Sequence, residues 1–338
     1  MHDETIGVVG AGVMGAEIAL VAALKGFGVV LRDMERRRVA DGLEHARKAG
    51  ERMVRKGRVG AHDLDRRLAH IVPAVDSRPL RDCGLVIEAV TERMDVKRSV
   101  FRELGRELPH DAIIASNTSG LSITELGRAS GRPRHVLGLH FFNPPSVMRL
   151  VEVIRGEETS SGTMARALAV VRAMDKTPVT VRECPGFLVN RILVRAMCHA
   201  YREAQRVDAD LAGVDAEVVA HGPAPMGPFE LGDLVGLDTM AHIRDDLDAA
   251  YEGRFADDGV LHNYVNAGFL GRKTGRGFFE GPVTTRPHVD SEERLVARGF
   301  YEAACDEARR CVAESVASAR DVDTAMRLGA GWAHGPLS

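Results

Sequence analysis

The stretch "GLHFFNPPSVMRLVEVIRG" places His140 at the end of one apolar run and Glu152 inside the next. An imidazole titrates near neutral pH and can accept a proton from a reacting group. A carboxylate beside it orients the ring and favours its charged form. Each residue also has a plainer reading: a histidine near a strand end is more often solvated or satisfied, and Glu152 alone would be a strand residue facing water. "ASNTSG", from Ala115 to Gly120, follows another apolar run. It is either a ligand-binding turn at the carboxyl end of a strand or a polar cap for the next helix, and spacing does not separate the two.

A glycine-rich turn gives the clearest signal. "GVVGAGVMGAEIA" carries Gly10, Gly12 and Gly15 in G-x-G-x-x-G spacing, directly after a strand-like run and at the start of a helical one. Such a turn is tight, lets the backbone approach a pyrophosphate, and aims a helix N-terminus at its charge. Asp33 closes the following strand, where an acid accepts hydrogen bonds from the adenosine ribose. The acid disfavours a 2′-phosphate and points to NAD, while Arg36, Arg37 and Arg38 leave NADP open.

The elements that must hold these residues alternate. "TIGVVG", "GVVLRD", "GLVIEAV", "DAIIASN", "RHVLGLH" and "RLVEVI" read as strands, with helices at Met14–Lys25 and Asp95–Leu108 and a capping box at Ser122–Glu125. This is the pattern of a parallel sheet covered by helices on both faces. "MERRRVADGLEHARKAGERMVRKGRV" and "AHDLDRRLAHI" are long for one crossover and predict a helical hairpin protruding from the sheet. From Phe187 the pattern is helical. "NRILVRAMCHAYREA…GPAPMGPFELGD" is loosely echoed by "ERLVARGFYEAACDEARR…MRLGAGWAHGPLS", a partial second copy. The expected parts are 1–184, 185–282 and 283–338.

Length and charge limit the function. The 338 residues suggest about two domains, and a formal charge of −3 implies neither a nucleic-acid partner nor an anionic membrane surface. No run is long and apolar enough for a membrane span, and no signal-peptide pattern opens the chain. Cys83, Cys184, Cys198, Cys305 and Cys311 show no metal spacing and read as reduced thiols of a cytoplasmic protein. No metal is expected.

Taken in order, "GAGVMG", "IEAVTE", "ASNTS", "GLHFFNP", "LVEVI", "PGFLVNR", "PMGPFEL" and "GRKTGRGFF" resemble the L-3-hydroxyacyl-CoA dehydrogenases, over about Ile6 to Phe279. The resemblance implies a Rossmann-type, doubly wound α/β sheet followed by an all-helical domain. It implies NAD-dependent, reversible oxidation of an L-3-hydroxyacyl-CoA to the 3-oxoacyl-CoA. His140 would be the general base and Glu152 its partner; Ser119 and Asn190 would hold the substrate oxygen. The cofactor would meet Gly10, Gly12, Val13, Met14, Gly15, Asp33, Ala89, Glu92, Lys97, Asn117, Asn143 and Lys273. Lys56, in the basic run "RMVRKGR", would contact coenzyme A, although a solvated charge run is the commoner fate of such residues.

Two departures from the family pattern stand out. The stretch between "EA" and "PMGP" is about five residues shorter than usual. The half-module after Pro282 is expected to pack on the first helical domain and cover a surface otherwise used by a dimer, so that both a homodimer and a monomer stay open. A carrier-protein thioester or a free hydroxy acid is an alternative substrate. A non-catalytic NAD-binding relative would be expected to have lost Ser119, His140, Glu152 or Asn190, and all four are present.

Overall fold

In a computed structural model of the chain, residues 4–281 and 287–338 are described. They form two compact units, one ending at Glu183 and one beginning at Cys184. The expected boundary between residues 282 and 283 lies outside the described residues.

The first unit is an eight-stranded sheet in the order β3-β2-β1-β4-β5-β6-β7-β8. Its strands are β1 (Thr5–Val9), β2 (Gly28–Arg32), β3 (Ile71–Ala74), β4 (Leu85–Glu88), β5 (Ile113–Ser116), β6 (Val136–Phe141), β7 (Leu150–Arg155) and β8 (Thr177–Arg182). Strands β1 to β6 run parallel; β7 runs against β6, and β8 is parallel to β7. The chain steps one way from β1 through β2 to β3 and the other way from β4, so β1 ends at the topological switch point where ligands of open α/β sheets bind. This is the Rossmann-type, mostly parallel sheet expected from the sequence. Strands β3 and β8 were not among the expected strands.

Helices α1 (Val13–Leu24) and α6 (Ser161–Ala173) share one apolar core with the sheet, through Ile18, Ala22, Ala167 and Val171 against Val8, Leu31, Leu139 and Val153. Helices α4 (Met94–Glu107) and α5 (Ile123–Ser130) contact each other, and α4 packs on β5 and α5 on β6. Only half of the expected capping box forms. Ser122 Oγ accepts from the Glu125 N–H at 3.2 Å, but the Glu125 carboxylate pairs with Arg98 of α4. A full positive charge outcompetes a backbone amide for that acid.

The expected hairpin is α2 (Arg36–Arg55) and α3 (Ala61–Leu68). Its base is anchored: Ala46, Ala49 and Leu64 join Ala16 and Leu20 of α1 in a small second core. The small residues of α2 permit this. A Cβ on Gly50 would lie 2.3 Å from Leu64 Cδ1, and one on Gly42 would lie 2.6 Å from the Ala11 carbonyl oxygen. The hairpin tip, around Arg55 to Arg58, is exposed.

The second unit is helical: α7 (Val189–Val207), α8 (Leu211–His221), α9 (Pro228–Val235), α10 (Leu237–Ala250), α11 (Val260–Asn266), α12 (Ser291–Ala313) and α13 (Ala319–Gly329). Helix α12 packs along α7 and α8, so the partial second copy lies on the first. The sequence echo has a physical core. Asp215 on α8 accepts from the N–H groups of Phe229 and Glu230 at 3.0 and 2.7 Å, just after the Gly227–Pro228 step. Asp323 on α13 accepts from Leu337 N–H at 2.9 Å, just after Gly335–Pro336. A Cβ on either glycine would strike its aspartate. Among the described residues, no helix is long and apolar enough to cross a membrane.

The glycine turn yields a stability contrast. A Cβ on Gly15 would lie 1.8 Å from the Gly10 carbonyl oxygen, whereas one on Gly12 meets nothing within 4 Å. Gly15→Ala must push α1 off the turn and is expected to cost about 1–3 kcal/mol. Gly12→Ala leaves the melting temperature unchanged, as thermal unfolding of the two variants would show.

Candidate active site

Register brings the two opening residues together. In the antiparallel β6–β7 pair, His140 lies directly opposite Glu152, and directly opposed side chains on one face are within easy reach of each other. His140 Nδ1 and Glu152 Oε2 are 2.7 Å apart, with Glu152 at 0% exposure and His140 at 7%. The plainer reading of Glu152 as a solvent-facing strand residue therefore fails. An Nδ1–H directed at the carboxylate leaves the ring lone pair on Nε2, the arrangement a proton acceptor needs. The Phe142 ring packs against the imidazole at 4.5 Å between centroids.

The end of β6 is clipped to its neighbour. Asn117 Oδ1 accepts from the Phe141 N–H at 2.9 Å, one residue beyond His140. Asn117, expected at the cofactor, thus already uses its carbonyl oxygen to hold the histidine strand.

At the ends of β4 and β5 lies a denser network. Glu88, fully buried, accepts from Lys97 Nζ at 2.7 Å, Ser116 Oγ at 2.6 Å and Val90 N–H at 2.7 Å. Lys97 is only 1% exposed, and it also donates to Val90 O at 3.3 Å and meets Glu92 Oε2 at 3.1 Å. Three acceptors match its three protons, so Lys97 braces the turn that carries Glu92. The Glu92 Oε1 accepts from Ser119 N–H at 2.9 Å, from Ser119 Oγ at 3.3 Å and from the Thr118 hydroxyl. Burial pushes the Glu92 carboxyl up, but the Lys97 charge and these hydrogen bonds outweigh it and hold it below its ordinary value. Glu92 and Ser119 are therefore placed by one another. Sequence reading missed Glu88, although an acid closing the apolar run "LVIE" was its signal.

The glycine turn fits a dinucleotide. Gly10 has φ +105°, and its missing Cβ makes room for Ala89, whose carbonyl would be 2.5 Å away. Helix α1 starts at Val13 with Gly12 as its cap, no side-chain cap bond and no acid in its first turn, so its positive end can receive an anion. Met14 packs against the core and Val13 is exposed. Asp33 ends β2 beside this turn, with Oδ2 accepting from Ala11 N–H at 2.9 Å. Of the three arginines that left NADP open, Arg37 faces Asp41 at 3.9 Å and Arg38 faces Glu35 at 3.3 Å.

Two further residues hold the loop after His140, which contains the exposed Asn143 and a cis Asn143–Pro144 bond. Lys176 Nζ donates to Pro145 O at 2.5 Å and Met148 O at 2.7 Å. Glu17, buried on α1, accepts from Ser146 N–H at 3.0 Å and meets His45 and Arg52 of the hairpin at 3.3 and 3.2 Å. Sequence reading missed both; a single acid in the apolar helix "VMGAEIALVAAL" was the visible sign of Glu17. Lys56 is exposed at the C-cap of α2, between Arg55 and Gly57 at the hairpin tip. In the second unit, Asn190 is the second residue of α7, and Lys273 pairs with Asp238.

Burial pushes the Lys176 ammonium down to about 8. Its folded value lies below its unfolded one, so its contribution is full above the unfolded value, near 10.5, and is lost as pH falls through about 8. The stability of the natural protein relative to Lys176→Met is therefore expected to rise between about pH 8 and 10.5 and to stay flat below, in denaturant titrations across that range.

The chain matches the 3-hydroxyacyl-CoA dehydrogenase NAD binding domain over residues 5–184 and the 3-hydroxyacyl-CoA dehydrogenase C-terminal domain over residues 186–281. It is 40% identical over 288 residues to a 3-hydroxybutyryl-CoA dehydrogenase of Bradyrhizobium diazoefficiens, covering 84% of this chain and 98% of the relative. It is 34% identical over 349 residues to a fatty acid oxidation complex subunit alpha of Acinetobacter baumannii, covering 96% of this chain but 48% of that protein; the chain spans about half the length of such subunits. The crystal structure of 3-hydroxybutyryl-CoA dehydrogenase from Escherichia coli is similar with a TM-score of 0.91 at 26% identity, over 100% of this chain and 91% of that one. The (S)-3-hydroxybutyryl-CoA dehydrogenase of Ralstonia eutropha gives 0.81 at 35% identity, over 83% and 100%. Two consecutive domain matches running from residue 5 to residue 281 lead to one conclusion: this chain belongs to the 3-hydroxyacyl-CoA dehydrogenase family.

Proposed function

We propose that the protein catalyses the reversible NAD-dependent oxidation of an L-3-hydroxyacyl-CoA, 3-hydroxybutyryl-CoA being the first candidate. The observation that carries this reading is the buried His140–Glu152 pair at 2.7 Å, one strand from the turn that bears Ser119. His140 accepts the hydroxyl proton at Nε2. Glu152 fixes the ring through Nδ1 and stabilises the imidazolium that results. Ser119, set by Glu92, and Asn190 hold the substrate oxygen and offset its developing negative charge. NAD, when bound, takes up the carbon-bound hydrogen with its two electrons as hydride.

Gly10, Gly12, Val13, Met14 and Gly15 would seat the pyrophosphate, and Asp33 the adenosine ribose. Ala89, Glu92, Asn117, Asn143 and Lys273 would complete the cofactor site, with Lys97 serving it by placing Glu92. Lys56 would meet the coenzyme A phosphates from the hairpin tip. We divide the chain at residues 184 and 282, and the close packing of α12 on α7 and α8 supports a half-module that lies on the first helical domain and lets the chain work as a monomer, a homodimer being the alternative. We place it in the cytoplasm.

The decisive measurement is NADH consumption with acetoacetyl-CoA. Turnover is expected with NADH in preference to NADPH, and His140→Ala is expected to lower kcat by about 10²–10⁴-fold. Glu152→Gln keeps the shape, removes the charge and should lower kcat by a smaller factor. NADH binding without turnover would sink the acyl-CoA reading and turn attention to carrier-protein thioesters and free hydroxy acids. A separate set of rates tests the hairpin: Lys56→Ala should raise KM for acetoacetyl-CoA about two- to fivefold with kcat unchanged, an effect that fades in high salt.

A further inference from the structure

The turn that delivers Asn190 is held both by its own backbone, with Phe187 N–H bonded to Cys184 O at 3.0 Å, and by groups from outside it. Gly186 and Phe187 follow one another in the left-handed region, with φ +72° and +50°. Phe187 has a side chain, and that side chain is buried, so the backbone there is strained. Leu188, the N-cap of α7, provides no side-chain cap bond.

What braces the turn from outside comes from α10 and α12. Arg191, with no solvent exposure, directs Nε to Glu307 Oε1 at 2.7 Å and its two terminal nitrogens to Glu314 at 2.8 and 3.0 Å. Its guanidinium lies 4.3 Å from the centre of the Tyr251 ring, and the Tyr251 hydroxyl donates to Pro185 O at 3.1 Å. Arg254 adds a second cation on Glu307, at 3.0 and 3.3 Å. Cys184 Sγ donates to Phe187 O at 3.2 Å.

The charges sit at the wrong helix ends for any local purpose. Arg191 is a cation in the first turn of α7, and Glu314 is an anion at the C-cap of α12. Each opposes the dipole of its own helix. Glu307 is a carboxylate buried to 1% exposure, which apolar packing between two helices would not need. The charges balance only when α12 lies against the start of α7. We propose that Glu307 and Glu314, supplied by the C-terminal half-module, are positioning residues: through Arg191 they fix the first turn of α7 and so aim Asn190 at the substrate oxygen. This rests on the role given to Asn190 above.

Glu307→Gln leaves the interior Arg191 guanidinium and the partly exposed one of Arg254 short of charge and is expected to unfold the unit. The test therefore uses Glu314→Gln, at a half-exposed carboxylate, and Tyr251→Phe, which removes only the hydroxyl. Each is made in the full chain, alone and combined with Asn190→Ala, and assayed with NADH and acetoacetyl-CoA. Each single variant should lower kcat about tenfold with KM for NADH unchanged, and should cost nothing further when residue 190 is already alanine. Amide hydrogen exchange reads the same clamp without turnover. The N–H groups of Arg191 and Ile192, bonded to Gly186 O and Leu188 O at 3.1 Å each, should exchange faster in both variants. Full kcat with unchanged exchange overturns the proposal, as does an equal loss of kcat with alanine at 190. Full activity of Asn190→Ala by itself overturns the role of Asn190 first, and the proposal with it.

Discussion

A carboxylate with no access to water must be met by a donor, and at Glu152 the donor is the His140 ring on the neighbouring strand. The rest of the first unit follows from that requirement. In a fully parallel continuation of the sheet, β7 would need a long crossover and would arrive in a different register. The reversal between β6 and β7 instead closes over a short loop and sets the two residues face to face. A slip of β7 by one residue would turn Glu152 onto the other face, among Leu139 and Val153, and away from His140. The hydrophobic pattern of the two strands therefore enforces the chemistry: the core will not accept the wrong register.

Charge buried at strand ends recurs through the sheet, each time as a closed set. Glu88 is satisfied by Lys97, Ser116 and a backbone amide, and the surplus charge of Lys97 is spent on Glu92. Glu17 joins the hairpin to the loop after His140. These groups cost solvation free energy wherever they sit, and the partners gathered around each of them offset that cost. They give the loops between strands a rigidity that loops of such composition would otherwise lack.

Much of this was legible in the sequence, for identifiable reasons. Six strands declared themselves as apolar runs bounded by polar turns. Strand β3 did not, because "IVPA" is four residues long, holds a proline and buries only its ends; proline is tolerated there because β3 is an edge. Strand β8, at the other edge, has a half-exposed alternation that looked like the approach to a domain boundary. The glycine turn was legible because backbone geometry dictates residue type directly. The pairing of His140 with Glu152 rested on the family resemblance, since spacing along the chain does not reveal which residues face each other across a strand reversal. Glu88 and Glu17 showed in the sequence only as lone acids in apolar runs; the contacts of Glu88 with Ser116, of Glu17 with Ser146 and of Arg191 with Glu307 join distant segments, which no local pattern encodes.

Phe187 carries a consequence for how this chain can change. Its backbone asks for glycine and its buried side chain asks for a large apolar residue. Replacing it with glycine relieves the first demand and leaves a cavity; another large apolar residue serves the second and keeps the strain. No single substitution satisfies both, so the position is a local optimum in sequence space. Drift there would have to begin elsewhere, in the helices that make the strained turn tolerable.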